Sequence, residues 1–438
     1  MDSTTANFMS GSLSHPGGPE TPASKGAGEC NSTGGRADSA VEGLRPPSGI
    51  ETLQIGINLQ PESGGIYRSV LNFREVFASN GWDNRILNFR TRPPSPGDAR
   101  SAVPITDVTC AGWPVLRGYG WSSALYGDKV LGLIRGASAV IIHGLYFHAS
   151  ARLARCAQAH GIPVILVCHG GLDPFVFTYR RWRKSLWLRA FGRSLLNSSA
   201  AVVCSTTRER EKALPFLRMA KTEVLHWPVP VPPEQKQAEA NLEIRRRLSL
   251  KPESKILLFC GRLHEIKRPL ETARAFLDAG LDDWSLLLVG PIDPSFDEKP
   301  LRRLCASAPG KCFLMGAQFE TDIERCYLGA NAFVSFSRKE NFGYSVAEAA
   351  AHGLPVLVSE GVDLAPELAP SGAALVWREA PPDSMAAFLR DACAMPSNAL
   401  ADIGARGRKW VAKHLSRQHF HERLTAIILR AIAGRPAG

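Results

Sequence analysis

The stretch Ser335 to Ser359, SFSRKENFGYSVAEAAAHGLPVLVS, limits what this chain can fold into more than any other. Ala332 to Phe336 is a short apolar run of the kind a buried strand carries. A polar turn holding Glu340 and Gly343 follows, then a helical pattern from Ser345 to His352. Gly353 suits the left-handed position after a helix end, and Pro355 bars the helix from continuing. Pro355 to Ser359 is a second β-rich run. The order strand, loop, helix, strand predicts one βαβ unit with its loop at the carboxyl end of a strand. Open α/β sheets hold ligands there.

The start of that helix offers the backbone N–H groups of Gly343, Tyr344 and Ser345, plus the positive end of the helix dipole, to a phosphate. Glu340 and Glu348 lie eight residues apart. As continuous helix they would be ~12 Å apart along the axis. That exceeds the ~5–9.5 Å between the paired carboxylates of most glycoside hydrolases. It suits two groups gripping opposite ends of one long ligand. Plainer readings stand beside this one. Ser345-x-x-Glu348 is also a capping box, and Glu340 alone is a solvated loop acid.

Glu340-Asn341-Phe342-Gly343, Glu348-Ala349 and Gly353-Leu354-Pro355-Val356 together resemble the nucleotide-sugar signature of glycosyltransferase family 4. The resemblance implies a retaining glycosyltransferase of the GT-B architecture, an α/β fold with two Rossmann-like domains facing a central cleft. It is strong from Lys255 to Ser359, thinner from Leu53 to Ser205, and does not cover the first 48 residues.

The remaining chain fits that outline. At 438 residues it predicts two domains. Residues 1–48 are rich in Gly, Ser, Thr, Ala and Pro, and read as a disordered tail. Residues 49–232 are expected to form the acceptor-side domain, and 233–415 the nucleotide-sugar domain. The extended run Trp227 to Pro233 marks the boundary. The last helical region, Arg417 to Ala433, is amphipathic; the resemblance implies that it crosses back onto the first domain.

In the first domain, Leu53 to Asn58 alternates like a strand, and Gly64-Gly65 stands before the helical stretch Ile66 to Ala78. A glycine pair there lets a ligand approach the backbone, or simply makes a tight turn. Strand-like runs at Asn84–Phe89, Ala139–His143, Pro163–Cys168 and Ala200–Ser205 alternate with helical patterns, which predicts a parallel sheet. Thr91 to Ser123 reads as loop. His143 and His169 each precede glycine at successive strand ends, which share one rim. The resemblance implies that His169 faces the donor sugar, and that Gly64, Gly65 and His143 border the acceptor side.

In the second domain, Lys255 to Cys260 reads as a strand, followed by Gly261-Arg262-Leu263 and Lys267. Arg262 offers a planar fork for phosphate oxygens and Lys267 a point charge. The resemblance makes this loop a diphosphate clamp. It assigns Glu348 to the ribose, and Glu340 with Asn341, Phe342, Gly343, Tyr344 and Ser345 to the sugar. It places the strand-end glycines Gly290 and Gly316 beside the base.

No cofactor is expected beyond the nucleotide sugar, a UDP- or GDP-sugar, as co-substrate. No metal is expected either, because no histidine falls at ligand spacing beside a cysteine or carboxylate cluster. A nucleotide-sugar epimerase, or a non-catalytic sugar-nucleotide-binding protein on the same architecture, is the alternative. Ten cysteines without a C-x-x-C pair fit a reducing compartment. No run approaches the ~18–20 apolar residues of a membrane span, and no signal pattern opens the chain, so a cytoplasmic location is expected. The net charge of +11 favours acidic partners. Tyr179 to Arg193 carries six basic residues and no acid, with Trp182, Trp187 and Phe191 interleaved. It fits either an anionic membrane surface or a helix with Trp and Leu inward and Arg outward. A glycan or lipid-linked acceptor is expected. Nucleic acid is not, for want of a recognised module.

Overall fold

The computed structural model describes residues 47–60, 64–91, 105–110, 121–178, 181–217, 221–233, 243–251, 253–318, 321–379 and 384–434. Nearly all of the expected N-terminal tail lies outside them. So do Tyr179 and Arg180.

Two all-parallel sheets organise the chain. The first has seven strands: β1 (Glu51–Ile57), β2 (Asp83–Arg90), β3 (Ile105–Thr109), β4 (Ala139–His143), β5 (Val164–Val167), β6 (Ala201–Cys204) and β7 (Thr222–Val224). Their spatial order is β3-β2-β1-β4-β5-β6-β7. The second has six: β8 (Lys255–Cys260), β9 (Trp284–Val289), β10 (Cys312–Gly316), β11 (Ala332–Ser335), β12 (Val356–Ser359) and β13 (Ala374–Trp377). Their order is β10-β9-β8-β11-β12-β13. The central strands are unbroken apolar runs because helices cover both sheet faces; every residue of β4, β5, β6, β9, β11 and β12 is buried.

Strand order reverses between β1 and β4, and again between β8 and β11. These are the switch points where crossovers diverge and leave a crevice. Gly64-Gly65 ends the loop after β1, and His143 ends β4. The loops carrying Gly261 and Glu340 follow β8 and β11.

Two elements differ from the sequence reading. Thr91 to Ser123 is not all loop: Ile105–Thr109 is the edge strand β3, paired with β2 from Ile86↔Ile105 to Arg90↔Thr109. Its half-exposed residues lack the apolar alternation that marks inner strands. The basic aromatic segment is not one helix. It is an α-helix Arg181–Trp187, a π-helical turn Leu188–Gly192, and a second α-helix Arg193–Ser198. Trp187 and Leu188 are buried, whereas Trp182 is 67% and Leu186 60% exposed. The reading with Trp and Leu inward therefore holds for Trp187 and Leu188 and fails for Trp182 and Leu186.

The last helix, Arg417–Ala433, returns to the first sheet. Phe420 meets the edge of Phe73 at 6.0 Å between ring centroids. Asn80 Nδ2 donates to Thr425 Oγ1 at 2.9 Å. The preceding helix, Ser397–His414, packs instead on the helix Tyr344–Ala351 of the second sheet. Among the described residues, no helix is long and apolar enough to cross a membrane.

Candidate active site

The helix after β11 runs from Tyr344 to Ala351. Its N-cap is Gly343 at φ +87°, with no side-chain cap. The capping box read in Ser345-x-x-Glu348 therefore does not form, and the Glu348 carboxylate is free to reach elsewhere. The first backbone N–H to close a helical bond belongs to Ala347, which donates to Gly343 O at 3.0 Å. The amides ahead of it are the ones an anion would meet. At the other end Gly353 N donates to Ala350 O and Leu354 N to Ala349 O, both at 3.0 Å. That is a Schellman closure on a left-handed glycine.

The cationic loop and the acid loop meet. Arg338 N donates to Ile266 O at 2.7 Å, which draws the two loops together. Lys267 Nζ then pairs directly with Glu340 Oε1. The other carboxylate oxygen, Glu340 Oε2, is buried without a hydrogen-bond partner. It sits 3.4 Å from where a Cβ on Gly343 would be, against the helix start. Burial pushes the Lys267 ammonium down to about 8, and the nearby Arg262 charge adds to this. The Cys260 thiol acts in the opposite sense. Arg262 is 65% exposed and held by Asp293 Oδ2 at 3.1 Å.

Gly261, Gly290 and Gly316 close the carboxyl ends of three adjacent strands. Gly290 N donates to Gly316 O at 2.8 Å. A Cβ on Gly290 would lie 1.9 Å from Gly261 O. The strand ends can pack so closely only without side chains.

Glu348 points across to the first sheet. Its Oε1 accepts from Arg68 Nη1 at 2.9 Å and Nη2 at 3.0 Å, and its Oε2 from Tyr327 Oη at 3.0 Å. The Arg68 guanidinium also lies over the Tyr344 ring at 4.3 Å. Gly64 at φ +63° starts the helix that carries Arg68, and a Cβ on Gly65 would lie 3.6 Å from the Tyr344 ring. Phe342 is buried in the core, so only its backbone faces the site.

The two histidines form one chain. Gln54 Nε2 donates to Val70 O and Asn84 Oδ1, leaving Gln54 Oε1 as an acceptor. His143 Nε2 lies 2.9 Å from that oxygen and must carry the proton. His143 Nδ1 is then the acceptor, so His169 Nε2, 3.2 Å away, donates to it. Both rings are neutral in this arrangement. Burial pushes His169 down to about 4, and burial with His169 beside it also holds His143 well below the usual imidazole range. The remaining nitrogen of His169, Nδ1, is an acceptor in that tautomer. His169 holds φ +47°, an uncommon conformation for a side-chain-bearing residue, and stacks on Trp227 at 5.8 Å.

Asn341 joins the two sheets. Its Nδ2 donates to Ser205 Oγ and Glu209 Oε2, both at 3.0 Å. Glu209 also accepts from Gly170 N at 2.6 Å and from Ser205 N at 2.6 Å. The sequence reading missed Glu209, Arg68 and Tyr327. Glu209 had a signal: Thr206-x-x-Glu209 is a capping pattern, and Thr206 Oγ1 does cap Glu209 N at 3.0 Å. Arg68 had a weaker one, lying one helical turn beyond Gly64.

Comparisons with known proteins agree with this geometry. Residues 241–410 match the family described as glycosyl transferases group 1, and residues 63–235 match glycosyltransferase family 4. A GDP-mannose:cellobiosyl-diphosphopolyprenol alpha-mannosyltransferase of Xanthomonas oryzae is 27% identical over 324 residues, 71% of this chain and 79% of that protein. Its Xanthomonas campestris counterpart is 24% identical over 323 residues, with the same coverage. Among solved structures, sucrose-phosphate synthase from Thermosynechococcus elongatus superposes with TM-score 0.69 at 18% identity, covering 85% of this chain and 96% of its own. HepE from Anabaena, solved with UDP and glucose, gives TM-score 0.68 at 14% identity, covering 86% and 99%. At such identities these structures speak for the shared fold.

Proposed function

Because the chain belongs to the group 1 glycosyltransferases of family 4, with the GT-B fold, we propose that its acceptor is a saccharide carried on a polyprenol diphosphate. As a glycosyltransferase it moves a sugar from a nucleotide diphosphate sugar to an acceptor hydroxyl. The placement of Lys267 and Glu340 against the start of the helix Tyr344–Ala351 carries the assignment of roles.

As the glycosidic bond to the diphosphate breaks, negative charge grows on the departing phosphate. Lys267, the helix-start amides and a swung-in Arg262 stabilise it where it develops. Each such donor is worth ~2.7–4 kcal/mol of barrier. Glu340 holds sugar hydroxyls once Lys267 turns to the phosphate, and Glu348 takes the ribose in exchange for Arg68. The His169 ring faces the sugar from the other sheet. Transfer with retention at the anomeric carbon follows the family chemistry, and the cations in the loop supply the charge without a metal. The two sheets together exclude water, the competing acceptor. The acceptor chemistry follows the two curated relatives, whose names specify a diphosphopolyprenol. The exposed Trp182 and Leu186 amid arginines support placement on an anionic membrane face, where such lipids sit.

The test is a thermal-shift screen of UDP- and GDP-sugars, followed by transfer to a polyprenol-diphosphate saccharide. One donor should raise the melting temperature and be consumed only with acceptor. Arg262→Ala should cut turnover by about 100-fold or more with little change in melting temperature. No shift with any nucleotide sugar, or unchanged turnover in Arg262→Ala, would overturn the assignment.

A further inference from the structure

A cleft of about 700 Å³ lies beside the segment that follows β5, away from the donor loops. Its floor is apolar: Phe177, Leu188, Leu196 and Phe216. Its rim carries Arg181, Arg189 and Arg193, and among the described residues no carboxylate lines it. Among the described residues, none of these three arginines is paired with an acid.

The cleft is built with some care. Phe177 and Phe216 stack at 5.4 Å with 9° between their planes, making one wall. Leu188 begins the π-helical turn Leu188–Gly192. Such turns are rare and tend to accompany functional sites. Gly192 permits this one, since a Cβ there would fall 2.6 Å from Leu188 and 2.7 Å from Trp187.

Two further observations indicate the occupant. Of the five exposed large hydrophobics among the described residues, Phe175, Trp182 and Leu186 belong to the segment that forms the cleft, and Leu214 lies two residues from Phe216. That concentration is unusual for a surface facing only water. Pro174, which lines the cleft, is next in sequence to Asp173. Asp173 accepts from Lys212 at 2.6 Å where the two sheets meet, and His169 is four residues upstream in the same loop. The cleft and His169 thus share one stretch of chain on the first-sheet side.

An apolar slot with an unpaired guanidinium rim is complementary to an amphiphile with an anionic head. We propose that this cleft binds the acceptor's lipid: the isoprenoid units nearest the diphosphate lie in the slot, and Arg181, Arg189 and Arg193 hold the diphosphate. Guanidinium forks match phosphate oxygens in geometry and stay charged. A flat bilayer surface would use the outer Trp182 and Leu186 but would leave the slot empty. This assignment rests on the glycosyltransferase reading above and names the site for its acceptor.

The test uses the full chain with excess UDP and GDP present, so that the donor site does not compete. Calorimetry compares farnesyl diphosphate with inorganic pyrophosphate and with farnesol. Farnesyl diphosphate should bind at least about tenfold tighter than either half alone. Arg189→Glu/Arg193→Glu, changed at exposed positions, should weaken it about tenfold or more without altering nucleotide binding. Trp182→Ala should leave it unchanged while weakening attachment to vesicles of mixed neutral and anionic phospholipid. Pyrophosphate binding as tightly as farnesyl diphosphate would overturn the proposal. So would indifference to the arginine changes, or arginine changes that affect vesicles alone, which would mark a bilayer contact. Failure of every nucleotide sugar to bind while farnesyl diphosphate binds would instead sink the glycosyltransferase roles and leave the lipid cleft standing.

Discussion

Single residues in the site carry burdens that sequence spacing does not reveal. A loop cation that serves a phosphate alone can be removed without cost to the fold. Arg262 fits that description, being mostly exposed. Lys267 does not, because it neutralises the buried Glu340. Lys267→Met should therefore abolish transfer and also cost about 3–5 kcal/mol of stability, the typical penalty for stranding a buried charge. Lys267→Met/Glu340→Gln should recover much of the stability and none of the turnover; urea unfolding and donor-consumption assays separate the two effects. His169 gives a pH prediction. Its native value of about 4 lies below the ordinary imidazole value near 6.5. Below pH 6.5 the unfolded chain takes up a proton that the native ring refuses. The stabilisation is thus full above about 6.5 and lost as pH falls toward 4, at about 1.4 kcal/mol per pH unit. Urea midpoints across that window should fall more steeply for the parent than for His169→Asn; parallel curves would show that the ring is not held neutral.

At the level of elements, the strands and the helix Tyr344–Ala351 were legible, and their partners were not. β4 and β8 begin and end where the apolar runs do, because a strand buried on both faces leaves no polar positions to blur its ends. β3 was illegible because an edge strand needs little burial, and its residues are half exposed. The Glu340–Glu348 spacing pointed to the candidate site, yet it could not say that Arg68 and Lys267 hold those acids. Pairings between residues 68 and 348 come from the fold and leave no local periodicity. The same holds for the support behind the helix. Gly404 lies in Ser397–His414 and would put a Cβ 1.9 Å from Gly353 O, at the closure of the donor helix. Gly404→Ala should cost about 1–3 kcal/mol through overpacking and weaken donor binding by tilting that helix. Wild-type stability with wild-type nucleotide affinity would show that the helix pair tolerates the extra methyl.

Across the whole molecule, the relation of the two sheets depends on buried charge. Lys212 Nζ reaches Asp173 Oδ2 on its own side and Asp363 Oδ1 on the other, each at 2.6 Å. Asp363 is fully buried, its Oδ2 has no hydrogen-bond partner, and burial pushes it up to about 6 despite the lysine. Nearby, Thr207 N donates to Glu367 Oε1 at 2.8 Å, and Glu367 Oε2 pairs with His226 at 2.6 Å. Buried pairs of this kind add little net stability, since desolvation offsets most of the attraction, but removing one partner is costly. Lys212→Met would leave Asp173 and Asp363 only their longer ion pairs, to Lys339 at 4.0 Å and to Arg208 at 3.8 Å. At pH 8 the loss should be about 3–5 kcal/mol, with the sheets separating enough to raise the radius of gyration in solution scattering. At pH 5 the loss should shrink. A carboxylate whose native value is raised takes up its proton more readily when folded than unfolded, so acid relieves the stranded charge. Lys212→Met/Asp363→Asn should restore the parental radius at both pH values. An unchanged radius and unchanged stability in Lys212→Met at pH 8 would mean that the apolar core spanning both sheets sets their relation without this bridge.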